Sequence, residues 1–251
     1  MKLNYEPCEK CIDCGGKYII FTNENQEEEA VKCQCYIEFL EKQKLYINLL
    51  DAGMNADFIF DYTLDKYLGK DVINIKDKVL KYIHNFEDKF YNISLYLYGA
   101  NGTQKSTISN YIGKELIKQG KTVRLLLMND LINRLKDNFH KSKEDADDYD
   151  LWYEDILHCD LLIIDDSFDN KTLMYSSGYQ ITFLDTFLRS RLERINKSII
   201  FTSNVSLEDI DEKKFSLSIK ELVNRNCKGV FEMKDKVAEL QNKFDIDDLW
   251  D

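Results

Sequence analysis

Leu95-Tyr-Leu-Tyr-Gly99-Ala-Asn-Gly102-Thr-Gln-Lys105-Ser106-Thr107 is the stretch on which the reading of this chain turns. It opens as an apolar and aromatic strand, passes into a glycine-bearing turn and ends in Lys-Ser at the head of an amphipathic segment running to Gln119. Strand, turn and helix in that order make a phosphate-binding P-loop. The backbone N–H groups of Gly99, Ala100, Asn101, Gly102, Thr103 and Gln104 are expected to converge on phosphate oxygens. The helix N-terminus, with Thr107 in its first turn, adds its positive dipole end. Lys105 is expected to reach the β- and γ-phosphates of ATP, and the Ser106 hydroxyl to ligate Mg²⁺. One position departs from the G-x-x-x-x-G-K-[ST] pattern: Gln104 stands where the second glycine belongs. A Cβ there implies strain on the order of 1–3 kcal/mol, which weakens nucleotide binding without abolishing it.

A second motif downstream gives the first its weight. Asp160-Leu-Leu-Ile-Ile-Asp165-Asp166 reads as a buried strand that delivers two carboxylates at its C-terminal end, where open α/β sheets bind ligands. This is a Walker B pattern: Asp165 is expected to hold Mg²⁺, largely through water, and Asp166 to orient or deprotonate the attacking water. Ser198-Ile-Ile-Phe-Thr-Ser-Asn204 is a further buried strand with a polar end, from which Asn204 is placed to reach the γ-phosphate or the water. The expected parallel sheet comprises strands 94–98, 122–128, 161–164, 198–202 and 229–233, with 161–164 directly beside the P-loop strand.

The 251 residues are 44% hydrophobic with a single proline, enough to bury a substantial core and unlike a disordered chain. The net charge of −11 is wrong for a protein that grips DNA by bulk electrostatics, so contact with single-stranded DNA is expected to be weak and local. No apolar run is long enough to span a membrane, and the N-terminus lacks the core of a signal peptide, so the expected location is cytoplasmic. In that compartment seven cysteines point to thiols or metal rather than disulfides. Cys8, Cys11 and Cys14 lie in one short run and Cys33 and Cys35 in another, a layout that suits tetrahedral Zn²⁺. Four thiolates suffice, so one is surplus, and the front pair is either Cys8 with Cys11 or Cys11 with Cys14.

Elsewhere the periodicity predicts helices over 36–50, 71–90, 130–139, 151–157, 178–195 and 216–226. The aromatic stretch 55–68 reads as a linker that docks on the following domain. The charged run 141–150 reads as a loop, and the acidic tail Phe244–Asp251 as a docking or partner-binding peptide.

Together the cysteine pairs, "LLDAGMNADFIFDYTLDKY", "LYGANGTQKST", "LLIIDD" and "IIFTSN" resemble the DnaC/DnaI-type (IstB-like) helicase loaders of the AAA+ class, including phage relatives, from the cysteine cluster to about residue 233. The resemblance implies an α/β AAA+ P-loop core with a parallel sheet at 61–251 and a small zinc-bearing, helicase-binding module at 1–60. It makes Lys105 and Ser106 Walker A, Asp165 and Asp166 Walker B, and Asn204 sensor 1. It places Arg191 near an interfacial arginine and Arg225 near a sensor 2 residue. It also implies an ATPase that self-associates through its nucleotide domain and delivers a replicative helicase onto single-stranded DNA. Ser167-Phe168 departs from the Leu-Gly that follows the paired aspartates in that family. Two other readings compete: a degenerate ATPase that binds or inhibits a helicase, favoured by Gln104, and a transposition-associated AAA+ ATPase.

Overall fold

The computed structural model describes residues 3–22, 27–66, 72–136, 143–169 and 178–234; the acidic tail lies outside them. The chain begins with a 3₁₀ turn, Ile12–Cys14, and an antiparallel hairpin of β1 (Tyr18–Thr22) and β2 (Glu28–Lys32). Helices α1 (Gln34–Asp51), α2 (Ala56–Ile59) and α3 (Val72–His84) follow. The P-loop region consists of β3 (Ser94–Tyr98) and α4 (Lys105–Lys118). Then come β4 (Val123–Leu127), α5 (Met128–Lys136), α6 (Lys143–His158), β5 (Leu161–Asp165), α7 (Gly178–Arg189), β6 (Ser198–Ser203), α8 (Glu212–Asn226) and β7 (Cys227–Glu232). None of these helices is long and apolar enough to cross a membrane.

Strands β4-β5-β6-β3-β7, in that order, form one five-stranded sheet in which every pairing is parallel. The expected strand set is therefore present, with one correction: β5 does not lie beside the P-loop strand, because β6 lies between them. The physical reason is burial. All six residues of β6 are buried, whereas β3 and β5 each end on a half-buried residue, so the most fully enclosed strand takes the middle of the parallel sheet.

Alternate residues of each strand feed opposite faces. Leu95, Leu97, Ile163 and Ile200 pack with α1 to α4 through Leu49, Ile59, Val79, Ile83, Ile108 and Ile112. Tyr96, Leu162, Ile164, Ile199 and Phe201 pack on the other face with Leu131, Leu184, Phe187, Ile219 and Leu222. The segment after α1 is tied into the first layer. Leu125 N–H donates to Ala52 O at 2.7 Å, and a Cβ on Gly53 would stand 2.7 Å from Leu125 O, so only glycine allows this approach to the sheet edge. Met54 occupies the space that a side chain on Gly113 of α4 would fill. Lys114, buried on α4, donates to Phe60 O and Tyr62 O and so pins the aromatic stretch to the P-loop helix.

Several helix boundaries differ from expectation, among them the starts of α5 at Met128 and of α8 at Glu212. The charged run 141–150 is helical from Lys143 onward. Tyr149, Trp152, Tyr153, Ile156 and Leu157 recur at i, i+3, i+4, i+7 and i+8 and turn one face to the core, while Asp147, Asp148 and Asp150 stay in solvent. The helix expected over 71–90 ends at His84; Asn85 leaves helical geometry and Phe86–Phe90 continues as a π-turn.

Candidate functional site

At the end of β3 the last strand crosses the phosphate loop at contact distance. Met233 N–H donates to Tyr98 O at 2.7 Å, and a Cβ on Gly99 would fall 2.1 Å from Met233 O, so Gly99 is required here. Ala100 and Asn101 lie exposed on the loop, and Thr103, buried, closes it by donating from Oγ1 to Ala100 O at 2.9 Å. Gly102 has φ +81° with open space where a Cβ would stand. Gln104 adopts φ 65°, ψ 21°, the left-handed region its sequence position demanded of a glycine, directly before the first turn of α4, which carries Thr107.

Lys105 is buried and folds back over the loop. Its Nζ donates to Gly99 O (2.8 Å), Ala100 O (2.9 Å) and Asn204 Oδ1 (3.1 Å). Burial pushes its pKa down, opposed by Asp166, Asp165 and Asp169. Ser106 Oγ donates to Asp165 Oδ1 at 2.8 Å, and the Thr202 hydroxyl donates to the same oxygen. Thr202 Oγ1 in turn accepts from Asp166 N–H at 3.1 Å. Asp166 carries φ 51°; burial raises its carboxyl pKa, the Asp165 charge adds to this, and Lys105 counters it. Lys105, Ser106, Asp165, Asp166 and Asn204 thus meet at one end of the sheet. The sequence reading passed over Thr202 and Asp169; Thr202 lay in the quoted "IIFTSN" run, but nothing in a single sequence marks its hydroxyl as the bridge between β6 and the Walker B strand.

The donor set fits Mg²⁺–ATP. Ser106 and Asp165 already share a hydrogen bond, so a hydroxyl and a carboxylate oxygen stand together as hard ligands. The loop between Gly99 and Lys105 keeps free space at Gly102, where a phosphate approaches backbone N–H groups.

The two arginines carried over by resemblance lie away from the phosphate loop. Arg191 is fully buried, and its guanidinium donates to Ile156 O, Leu157 O, Cys159 O and Ser198 O at 2.9–3.0 Å. A side chain committed in this way does not present itself to a neighbouring subunit. Arg225 is exposed and paired with Glu193 in the last turn of α8, just before Cys227, which pairs with Ser94 at the start of β3. Both arginines therefore sit at the entry edge of the sheet, opposite the P-loop. Arg191 ties the entry ends of β5 and β6 together. Arg191→Lys, which keeps the charge but loses the planar fork, is expected to cost about 1–3 kcal/mol of stability. Thermal melting checks this; an unchanged midpoint would contradict it.

A second cluster lies at the base of the N-terminal hairpin, from the residues before β1 and the start of α1. The sulfurs of Cys8, Cys11, Cys33 and Cys35 all lie within 4.8 Å of one another. Individual Sγ separations are 3.7 Å (Cys8–Cys11), 3.5 Å (Cys8–Cys33), 3.5 Å (Cys11–Cys35) and 3.3 Å (Cys33–Cys35). The edge of a tetrahedron built on Zn–S bonds of about 2.3 Å is about 3.8 Å, so the set fits zinc. The front pair in this group is Cys8 with Cys11; the side chain of Cys14 lies outside the described ones. Tyr5 places its hydroxyl 3.2 Å from Cys35 Sγ and draws that thiol's pKa down, whereas the Cys11 and Cys33 thiols beside it are pushed up.

Comparison with known proteins agrees with this architecture. The sequence profile of the IstB-like ATP binding proteins matches residues 52–216. No curated protein matches. Among solved structures, the DnaC helicase loader is similar at 19% identity and a TM-score of 0.57, over 70% of this chain and 98% of that one. DnaI is similar at 19% identity and a TM-score of 0.54, over 70% of this chain and 90% of that one. AMPPCP-bound DnaA from Aquifex aeolicus is similar at 17% identity and a TM-score of 0.53, over 68% of this chain and 50% of that one. At these identities the structural likeness is one of fold.

Proposed function

The chain belongs to the family of IstB-like ATP binding proteins, and from that premise we propose that it is an ATP-dependent loader that binds a replicative DNA helicase and delivers it onto single-stranded DNA. The observation that carries this reading is the meeting of Lys105 and Ser106, at the head of α4, with Asp165 at the end of β5 and Asn204 just after β6, at one end of a parallel sheet. Residues 99–107 would hold the phosphates, and Ser106 with Asp165 would hold Mg²⁺. Bound Mg²⁺–ATP would supply the phosphoryl group for transfer to water. Lys105, now on Gly99 O and Ala100 O, would turn its ammonium to the phosphate oxygens. Asp166, beside Asp165 at the end of β5, would orient or deprotonate the attacking water. The zinc-bearing N-terminal module, within residues 1–60, makes the helicase contact. Copies of the nucleotide domain assemble, and single-stranded DNA is held weakly. The protein works in the cytoplasm.

The test is transfer of a replicative helicase onto circular single-stranded DNA. The proposal expects the full chain with Mg²⁺–ATP to raise DNA-bound helicase; equal loading with and without the chain would contradict it.

A degenerate ATPase that only binds or blocks the helicase is the second reading, favoured by Gln104 in left-handed geometry. The two part over Lys105→Ala, which the loader reading expects to abolish loading and the degenerate reading expects to leave the effect on the helicase unchanged. A left-handed non-glycine residue costs about 1–2 kcal/mol, and Gln104 holds that geometry in this structure, so Gln104→Gly is expected to raise stability by about that much. Thermal melting checks this, and an unchanged midpoint would contradict it.

A further inference from the structure

The turn after the Walker B strand departs from regular geometry twice, at Asp166 (φ 51°) and Phe168 (φ 59°). Phe168 is fully buried against Tyr96, Phe201 and Phe215, which anchors the turn from the core side. Asp169 then comes back over the site: its Oδ2 accepts from Asn204 Nδ2 at 3.1 Å. On its other side Asn204 Oδ1 accepts from Lys105 Nζ at 3.1 Å. A carboxylate only accepts and an ammonium only donates, so the two partners leave the Asn204 amide one orientation, oxygen toward Lys105 and nitrogen toward Asp169.

We propose that Asp169 is a positioning residue that locks the Asn204 amide with its oxygen facing Lys105 and the phosphate loop. The proposal rests on the nucleotide-site reading above. Its consequence is chemical. With the amide nitrogen held by Asp169, Asn204 offers the site an acceptor, suited to the ammonium or to a water proton. It withholds the donor that would grip a terminal phosphate oxygen. The site therefore favours ATP over ADP only weakly, and Asp169 is what keeps that preference low.

The experiment is calorimetric titration of Mg²⁺–ATP and Mg²⁺–ADP into the full chain, its Asp169→Ala and Asp169→Asn variants, Asn204→Ala, and the Asp169→Ala/Asn204→Ala double variant. Asp169→Ala frees the amide to turn its nitrogen toward the phosphates and should raise the ATP-to-ADP affinity ratio at least about threefold, within the range of coupling between hydrogen-bonded neighbours. Asp169→Asn removes the charge but keeps an acceptor oxygen, and should stay near the wild-type ratio. In the Asn204→Ala background, Asp169→Ala should leave the ratio unchanged. The proposal is overturned if Asp169→Ala and Asp169→Asn shift the ratio alike, if the shift persists without Asn204, or if there is none. A wild-type chain that binds neither nucleotide removes the nucleotide-site reading itself, and this proposal with it.

Discussion

Stripping zinc from the full chain is expected to unfold the N-terminal hairpin while the P-loop domain stays folded. The hairpin has little else to hold it. Every residue of β2 is exposed, Tyr18 and Ile20 of β1 are exposed, and among the described side chains of this segment the buried positions are Cys11, Gly16 and Cys33, at or beside the four-sulfur cluster. So small a unit has no core to offset its conformational entropy. Where a preformed site is absent from the unfolded chain, metal-binding free energy is folding free energy, about 10 kcal/mol or more for structural zinc. The sheet and its two hydrophobic layers do not depend on that ion. Hydrogen exchange before and after chelation should show protection lost over residues 8–33 and kept in β3, β5 and β6. Metal analysis of chelator-free protein should find about one zinc per chain. Retained protection after chelation, or protein purified without zinc, would contradict the assignment.

Lys105→Ala is expected to weaken Mg²⁺–ATP binding by about a hundredfold or more, equivalent to about 3 kcal/mol. Lys105 is the cation that Asp166, Asp165 and Asp169 all face. Its removal deletes a charge-assisted contact to the phosphates and leaves those three carboxylates to repel them. Calorimetry on the variant measures the loss. Affinity within about tenfold of wild type would show that the loop does not bind phosphate in the manner described.

Much of the fold was legible in the sequence because its strands are continuous apolar runs ending in polar residues, the pattern of strands covered on both faces. The two nucleotide motifs were legible for the same reason, since each sits where such a run stops. Strand order was not, because order depends on which run is most deeply buried, and the polar ends of 198–203 hid how fully that strand is enclosed. The start of α6 was missed because acidic residues on its outer face masked the stripe from Tyr149 to Leu157. The burial of Arg191 is not legible because a buried guanidinium and an exposed one look identical in sequence; only the four converging carbonyls reveal it. Thr202 and Asp169 act through contacts to residues far along the chain, which no local pattern announces.

The most direct measurement is co-purification of a replicative helicase with the full chain, with and without Mg²⁺–ATP, beside a variant lacking residues 1–33, which removes the cysteine-bearing hairpin but keeps the α1 and α2 side chains that pack on the sheet. The account predicts that the full chain retains the helicase, that Mg²⁺–ATP changes the amount retained, and that the truncated chain binds nucleotide but loses the helicase. A full chain that captures no replicative helicase in either condition, or a truncated one that captures it fully, would contradict the account.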